Sequence, residues 1–242
     1  MLKICEEYAE IHNLRFSTDR NPDKCKTKCL AFFVKNPQPL TPLKLCGNPL
    51  PWVSSAKHLG MTLDTSVDGM KSDLKIKRAE YISKNIEILQ ESGFSHPRTK
   101  IMINNVYNSH LSGSCLWDLF SKEAVQMENS WNVSMRLMLD LPRETHRRLI
   151  EPLSEVTHAK ILMIKRFLTF LQQIQKSSKT ASKFLLETIL QDTRSTTGSN
   201  LRNILLLTSK SNVHELEPID AISLNYNQIS DDEKWKIPII QE

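Results

Sequence analysis

Glycine, cysteine and long apolar runs are all scarce in this chain, and each scarcity removes a class of protein. Six glycines occur in 242 residues, and none of them forms GxGxxG or GxxxxGK, so the glycine-built phosphate cradles are missing. Five cysteines, at positions 5, 25, 29, 46 and 115, are too few and too scattered for a disulfide framework. Their odd number leaves at least one thiol free, which fits a reducing compartment. No stretch approaches the roughly 18 consecutive apolar residues of a membrane span. The start, Met1-Leu2-Lys3-Ile4-Cys5-Glu6-Glu7, lacks the basic-then-apolar layout of a signal peptide. These absences predict a cytoplasmic or nuclear protein without a membrane partner. Seven histidines are dispersed, without HExxH or a nucleophile partner, so no catalytic residue and no small-molecule substrate are expected.

What is present suits a folded domain that meets an anion. Hydrophobic residues make up 40% and charged residues 24%, the ordinary globular range. The net charge of +5 conceals an asymmetry, because residues 215–242 hold seven acidic and two basic side chains. The body is therefore basic and the tail acidic. A basic surface of this size favours a phosphate polymer through counterion release.

Along the chain, Cys5, Tyr8, Ala9 and His12 share one side at helical spacing, which predicts a short amphipathic helix over Leu2 to His12. Six of the eleven prolines (22, 37, 39, 42, 49 and 51) then exclude helix from most of residues 21–52. Cys29 to Val34 and Leu43 to Cys46 read as strands, with turn chemistry at Gly47-Asn48-Pro49. Ala56 to Leu63 reads as a further strand that Gly60 interrupts as a bulge or a close backbone approach. After Asp68 the period becomes helical. Leu74, Tyr81 and Ile88, joined by Ile82 and Leu89, predict a first helix ended by Gly93. His96-Pro97 opens a second, with Ile103, Val106, Tyr107, His110 and Leu111 as its buried face and Gly113 as its close. Ser121 caps a third, whose face is Ala124, Met127, Trp131, Met135 and Met138 and whose stop is Pro142. A fourth starts near Ser154 with a stripe through Val156, Ala159, Met163, Phe167, Phe170, Leu171 and Ile174, and shorter helices follow at 181–190 and 201–207. Trp117, Trp131, Phe167 and Phe170 read as core. Beyond Val213 the pattern dissolves into a polar, acidic and poorly ordered tail.

Several of these strings resemble the reverse transcriptase of non-LTR (LINE-type) retrotransposons of the jockey and chicken-repeat-like groups. One runs from Cys5 through Tyr8-Ala9-Glu10 and Leu14-Arg15-Phe16-Ser17-Thr18-Asp19 to Asn21-Pro22-Asp23-Lys24-Cys25-Lys26-Thr27-Lys28-Cys29, similar to the end of that family's palm. Leu45-Cys46-Gly47-Asn48-Pro49-Leu50-Pro51-Trp52-Val53, followed by Lys57-His58-Leu59-Gly60-Met61-Thr62-Leu63, looks like its hairpin and primer grip. Ser112-Gly113-Ser114-Cys115-Leu116-Trp117-Asp118-Leu119 and Leu139-Asp140-Leu141-Pro142-Arg143 match its thumb and connector. The likeness covers roughly residues 2–165. It implies that the metal-binding palm carboxylates would precede Met1, so that the Mg2+ of intact members has no ligands here and this chain needs no cofactor. The only adjacent aspartates, Asp231-Asp232, have neither an aromatic two positions earlier nor an apolar strand around them.

Candidate nucleic-acid contacts follow. Lys24, Lys26 and Lys28 alternate with period 2, which suits either a phosphate backbone or a solvated strand edge. Lys57, His58, Leu59 and Gly60 form the expected grip, where a backbone turn meets the primer terminus or a bulge packs the strand. Lys71, Lys75 and Arg78 share one stripe of the first long helix, flanked by Lys77 and Lys84, and fit either a template-primer groove or a solvated face. Cys25 and Cys29, about 13 Å apart if extended, are too distant to share a zinc, which needs sulfurs about 4 Å apart.

The expected fold is α+β and mainly helical, with a small antiparallel palm remnant (1–66), a thumb (67–142), connector helices (143–212) and the tail (213–242). The expected function is that of a truncated RNA-directed DNA polymerase fragment, inactive alone. The alternatives are a residual RNA or primer-template binding module and a helical interaction protein of retroelement origin.

Overall fold

The computed structural model describes residues 2–19, 21, 24–32, 41–66, 69–93, 95–106, 111–192, 195–210 and 215–218. The chain divides into two units, Met1–Asp73 and Leu74–Glu242. It is mainly helical, with two small antiparallel ribbons, as the composition and periods predict. Most of the acidic tail, Phe33 and Val34 of the expected first strand, and Tyr107 and His110 of the expected second helix lie outside the described residues.

In the first unit, α1 (Leu2–Ile11) packs on β1 (Lys44–Leu45). Ala9 is its buried residue, and Glu6 accepts a hydrogen bond from the Cys46 backbone N–H. Asn13 ends the helix at φ 52°, where Leu14 N–H reaches back to the Ala9 carbonyl at 2.8 Å. β1 pairs with β2 (Asn48–Pro49) through a turn in which both Cys46 (φ 50°) and Gly47 (φ 76°) are left-handed, the geometry that suits strand twist.

Two strand expectations need correction. Among its described residues the apolar run from Cys29 makes one parallel bridge, Cys29 to Trp52, where prolines on the facing segment remove donors that a longer ladder needs. The run from Ala56 to Leu63 is not one strand with a bulge. It is a hairpin of β3 (Ser55–His58) and β4 (Met61–Asp64), with Lys57 opposite Thr62. Leu59 (φ 48°) and Gly60 (φ 81°) reverse the chain between them. Asp73, fully buried, accepts from Thr62 N–H at 2.7 Å and fixes β4 to the first turn of α2 (Gly69–Ser92).

The second unit is built of helices. Leu74, Tyr81 and Ile88 are buried along α2, as their heptad spacing predicts, whereas Ile82 faces solvent. α3 (Pro97–Val106) buries Lys100, Ile101 and Asn104; of the expected face, Leu111 is buried beyond the helix, Ile103 is half-buried, and Tyr107 and His110 lie outside the described residues. α4 (Lys122–Met138) is capped by Ser121, whose Oγ accepts from Ala124 N–H, and all five of its expected face residues are buried. The fourth expected helix starts at Ala159 rather than near Ser154, which instead ends a short helix that the pattern did not show. α5 (Ile150–Ser154) ends where Glu155 turns left-handed (φ 55°), and α6 (Ala159–Lys176) restarts at His158, whose Nδ1 accepts from Lys160 N–H at 3.3 Å. α7 (Thr180–Gln191) and α8 (Thr196–Thr208) complete the unit, with α6 against α7 and α7 against α8. Gly198 is required there, because a Cβ would lie 2.7 Å from the Asp192 carbonyl.

The turn from Trp117 to Phe120 sits at the centre of this unit. Trp117 and Leu119 are fully buried. Asn200, on α8, donates to the Trp117 carbonyl at 2.8 Å and accepts from Leu119 N–H at 3.0 Å. Lys160, on α6, donates to the Leu119 carbonyl and lies 4.3 Å from the centre of the Phe120 ring. Asn200→Ala strands one buried donor and one buried acceptor, so its unfolding free energy should fall by about 2–4 kcal/mol. Urea unfolding checks this through a lower midpoint at unchanged m; an unaltered midpoint would show that the Asn200 amide does not hold the turn.

Candidate nucleic-acid interface

Lys24, Lys26 and Lys28 are all exposed, while Cys25 between them is buried and Thr27 half-buried. The alternation is thus real, although the segment is not a strand. Lys24 and Cys25 close a turn on the Asn21 carbonyl, and Thr27 N–H bonds the Ser17 carbonyl at 3.3 Å. The Cys25 thiol faces the Thr27 carbonyl at 3.0 Å. Burial, and then the neighbouring Cys25, raise the Cys29 thiol above its ordinary pKa. Among the described residues, no three His, Cys, Asp or Glu side chains converge as a metal site.

Cys29 joins this lysine segment to the hairpin. Its N–H bonds the Pro51 carbonyl and its carbonyl takes Val53 N–H, both at 2.9 Å, two residues before β3 begins at Ser55. Lys57 and His58 are exposed on β3, and Leu59 at the tip is 84% exposed. A leucine held left-handed costs about 1–2 kcal/mol, and here no burial offsets it. Gly60 meets no neighbour within 4 Å of a Cβ position. The bulge reading of Gly60 is therefore replaced by an open turn.

A charge pattern in the same unit sharpens the picture. From Lys24 to Leu63 the sequence holds six lysines (24, 26, 28, 35, 44 and 57) and no Asp or Glu. The described members, Lys44 included, are all exposed. Counting carboxylates along the chain, rather than lysines alone, would have added Lys44 to the candidates.

The α2 cations are placed differently. Lys77 is buried and its ammonium meets Glu80 at 2.8 Å, while Lys84 meets Glu87 at 2.5 Å. Arg78 donates to Ser130 Oγ at 2.8 Å and Gln126 Oε1 at 3.2 Å, tying α2 to α4. Lys71 is half-buried. Lys75, with its side chain 65% exposed and 3.9 Å from Glu123, is the most solvated of the five. The expected stripe is thus largely spent on internal contacts, because Glu80 and Glu87 stand three residues from their lysines.

The one strongly perturbed pair of groups is structural. His158 is buried, edge-on to Trp131 with ring centres 4.7 Å apart, and its Nε2 lies 3.7 Å from Glu128. Desolvation, with Lys160 and Arg147 adding repulsion, lowers its pKa to about 3. Desolvation likewise lowers Lys160 to about 8, against the pull of Glu128 and Asp118. None of the residues lining the described cavities belongs to this cluster. Exposed His146, similarly, caps a 3-10 turn (Arg147–Leu149) by accepting from Arg148 N–H.

The folded state keeps His158 neutral, so the unfolded state binds the extra proton between pH 6.5 and about 3. Stability is therefore complete above 6.5 and falls with pH inside that window, at a limiting slope of about 1.4 kcal/mol per pH unit. Urea unfolding across the window should give a shallower pH slope for His158→Gln than for the parent; equal slopes would refute the assignment.

Among the described residues no helix is long and apolar enough to cross a membrane. Compared with family models, curated proteins and solved structures, the chain matches none, so its assignment rests on its own residues.

Proposed function

We propose that this chain is the palm-end, primer-grip, thumb and connector part of a non-LTR retrotransposon reverse transcriptase, and that its own activity is primer-template binding. The observation that carries the reading is the acid-free lysine tract, whose described lysines (24, 26, 28, 44 and 57) are all exposed. Clustered cations without internal carboxylates attract a phosphate backbone and release its counterions. The exposed Leu59 tip supports the same reading, since backbone strain at a solvent-exposed apolar residue is a hallmark of a contact site. Nucleotidyl transfer needs paired carboxylates that hold two metal ions, and the strings that resemble the family do not include them. The chain alone therefore binds without polymerising. The Mg2+ of intact members would serve nucleotidyl transfer, and the cytoplasm or nucleus is where its substrate would be met.

Filter binding of the full chain to an RNA–DNA primer-template tests this. Affinity should fall steeply with salt, and replacing Lys24, Lys26 and Lys28 by Ala should flatten the log–log slope by about 0.7–0.9 for each phosphate no longer neutralised. Absence of binding at low salt, or indifference to salt, refutes the proposal. Leu59→Asn, which suits a left-handed turn, should stabilise the hairpin by about 1 kcal/mol and still weaken primer-template binding; unaltered affinity would remove the tip from the interface.

A further inference from the structure

The outward side of α6 lines an open cleft of about 530 Å3, inside the usual size range of small-ligand sites, about 300–1,000 Å3. α6 turns Met163, Ile164, Phe167 and Leu171 into the core. Its second stripe, Leu162, Lys165, Arg166, Thr169, Phe170 and Gln173, forms one wall of the cleft, and the turn bearing Ser112 and Cys115 forms the other. No carboxylate lines it among the described residues. The sequence explains why, because between Glu155 and Glu187 there are six cations (160, 165, 166, 176, 179 and 183) and no Asp or Glu. A helix without acidic residues cannot neutralise its own cations through i, i+4 pairs; Lys160 is buried and drawn to Glu128 and Asp118, while Lys165 and Arg166 line the cleft and present a positive potential to an anion from outside.

The lining also has an apolar and a hydrogen-bonding part. Leu162 and Phe170 are half-buried, leaving apolar surface toward the opening. Gln173 is exposed and supplies both a donor and an acceptor. Thr169 Oγ1 donates to the Lys165 carbonyl at 2.8 Å, which leaves its lone pairs to accept. Cations, an aromatic face and an amide together match phosphate, base face and base edge.

We propose that this cleft binds one nucleotide unit, with the phosphate on Lys165 and Arg166 and the base against Phe170. The site goes beyond the interface proposed above, since every residue in it belongs to the second unit and a free mononucleotide has the same chemistry as one link of a single strand.

Cys115, half-buried in the cleft wall, reports occupancy. The full chain is treated with iodoacetamide, and alkylation at each cysteine is followed by mass spectrometry with adenosine monophosphate, a single-stranded oligouridine or inorganic phosphate present. Either nucleotide probe, at about tenfold its Kd, should slow Cys115 about tenfold, and the mononucleotide should do so without slowing Cys46, which stands beside Lys44 in the other interface. Protection by the mononucleotide identifies a free nucleotide as sufficient, and protection by the oligomer alone identifies a strand; both support the site. Lys165→Glu and Gln173→Glu, at exposed positions that leave the core intact, should abolish protection. Protection that survives both variants, or that phosphate alone supplies in full, overturns the proposal. So does no protection from any probe, and primer-template binding through the lysine tract then stands or falls separately on its filter-binding result.

Discussion

The second unit depends on how the backbone of one buried turn is satisfied. Residues 117–120 belong to no ladder, yet Trp117 and Leu119 are fully buried, so their peptide groups have no water to bond. Asn200 supplies both a donor and an acceptor, and Lys160 a further donor. Two helices far apart in sequence are thereby fixed on the same four residues. The Asp118 carbonyl also accepts from Ser121 Oγ, so the turn leads directly into the cap of α4. The arrangement leaves Lys160 desolvated, which is the main cause of its lowered pKa. A depressed lysine in this setting signals a structural amine held by a carbonyl and an aromatic face.

Charge is distributed by the same logic of partners. Lys77, Arg78 and Lys84 each have a carboxylate, hydroxyl or amide within reach on their own or a neighbouring helix, and Lys100 has Asp140 in the turn after α4. Arg78 ties α2 to α4, whereas the pairs of Lys77 and Lys84 lie within α2. In the two tracts without Asp or Glu, 24–63 and 156–186, cations have no such local neighbours in sequence. Exposed lysines in those tracts are the ones suited to an external anion, which is why carboxylate spacing discriminates better than lysine counting.

Much of the helical architecture was legible because it follows a simple period. Leu74, Tyr81 and Ile88, and the stripe from Ala124 to Met138, are buried where their spacing places them, and Ser121 caps where a hydroxyl before Glu123 predicts it. The β segments were less legible. Alternation cannot distinguish an interrupted strand from a tight hairpin when the reversing pair begins with leucine, a residue that rarely adopts positive φ. On α3 two buried residues escaped for a related reason: Lys100 and Asn104 are polar, so an apolar template overlooks them, yet Lys100 is buried with its ammonium 3.4 Å from Asp140.

By itself the sequence determined the helical spacing, the stop at Gly93, the cap at Ser121 and the basic body, since each depends on residues near one another in the chain. Only the tertiary structure decided which cations are solvated. Arg78 looks like Lys75 in the sequence, but its partners Gln126 and Ser130 are about fifty residues away, and no local pattern encodes that meeting. The same holds for Asn200, an ordinary polar residue of α8 until the fold brings the Trp117–Phe120 turn to its amide and makes it the group that two buried peptides share.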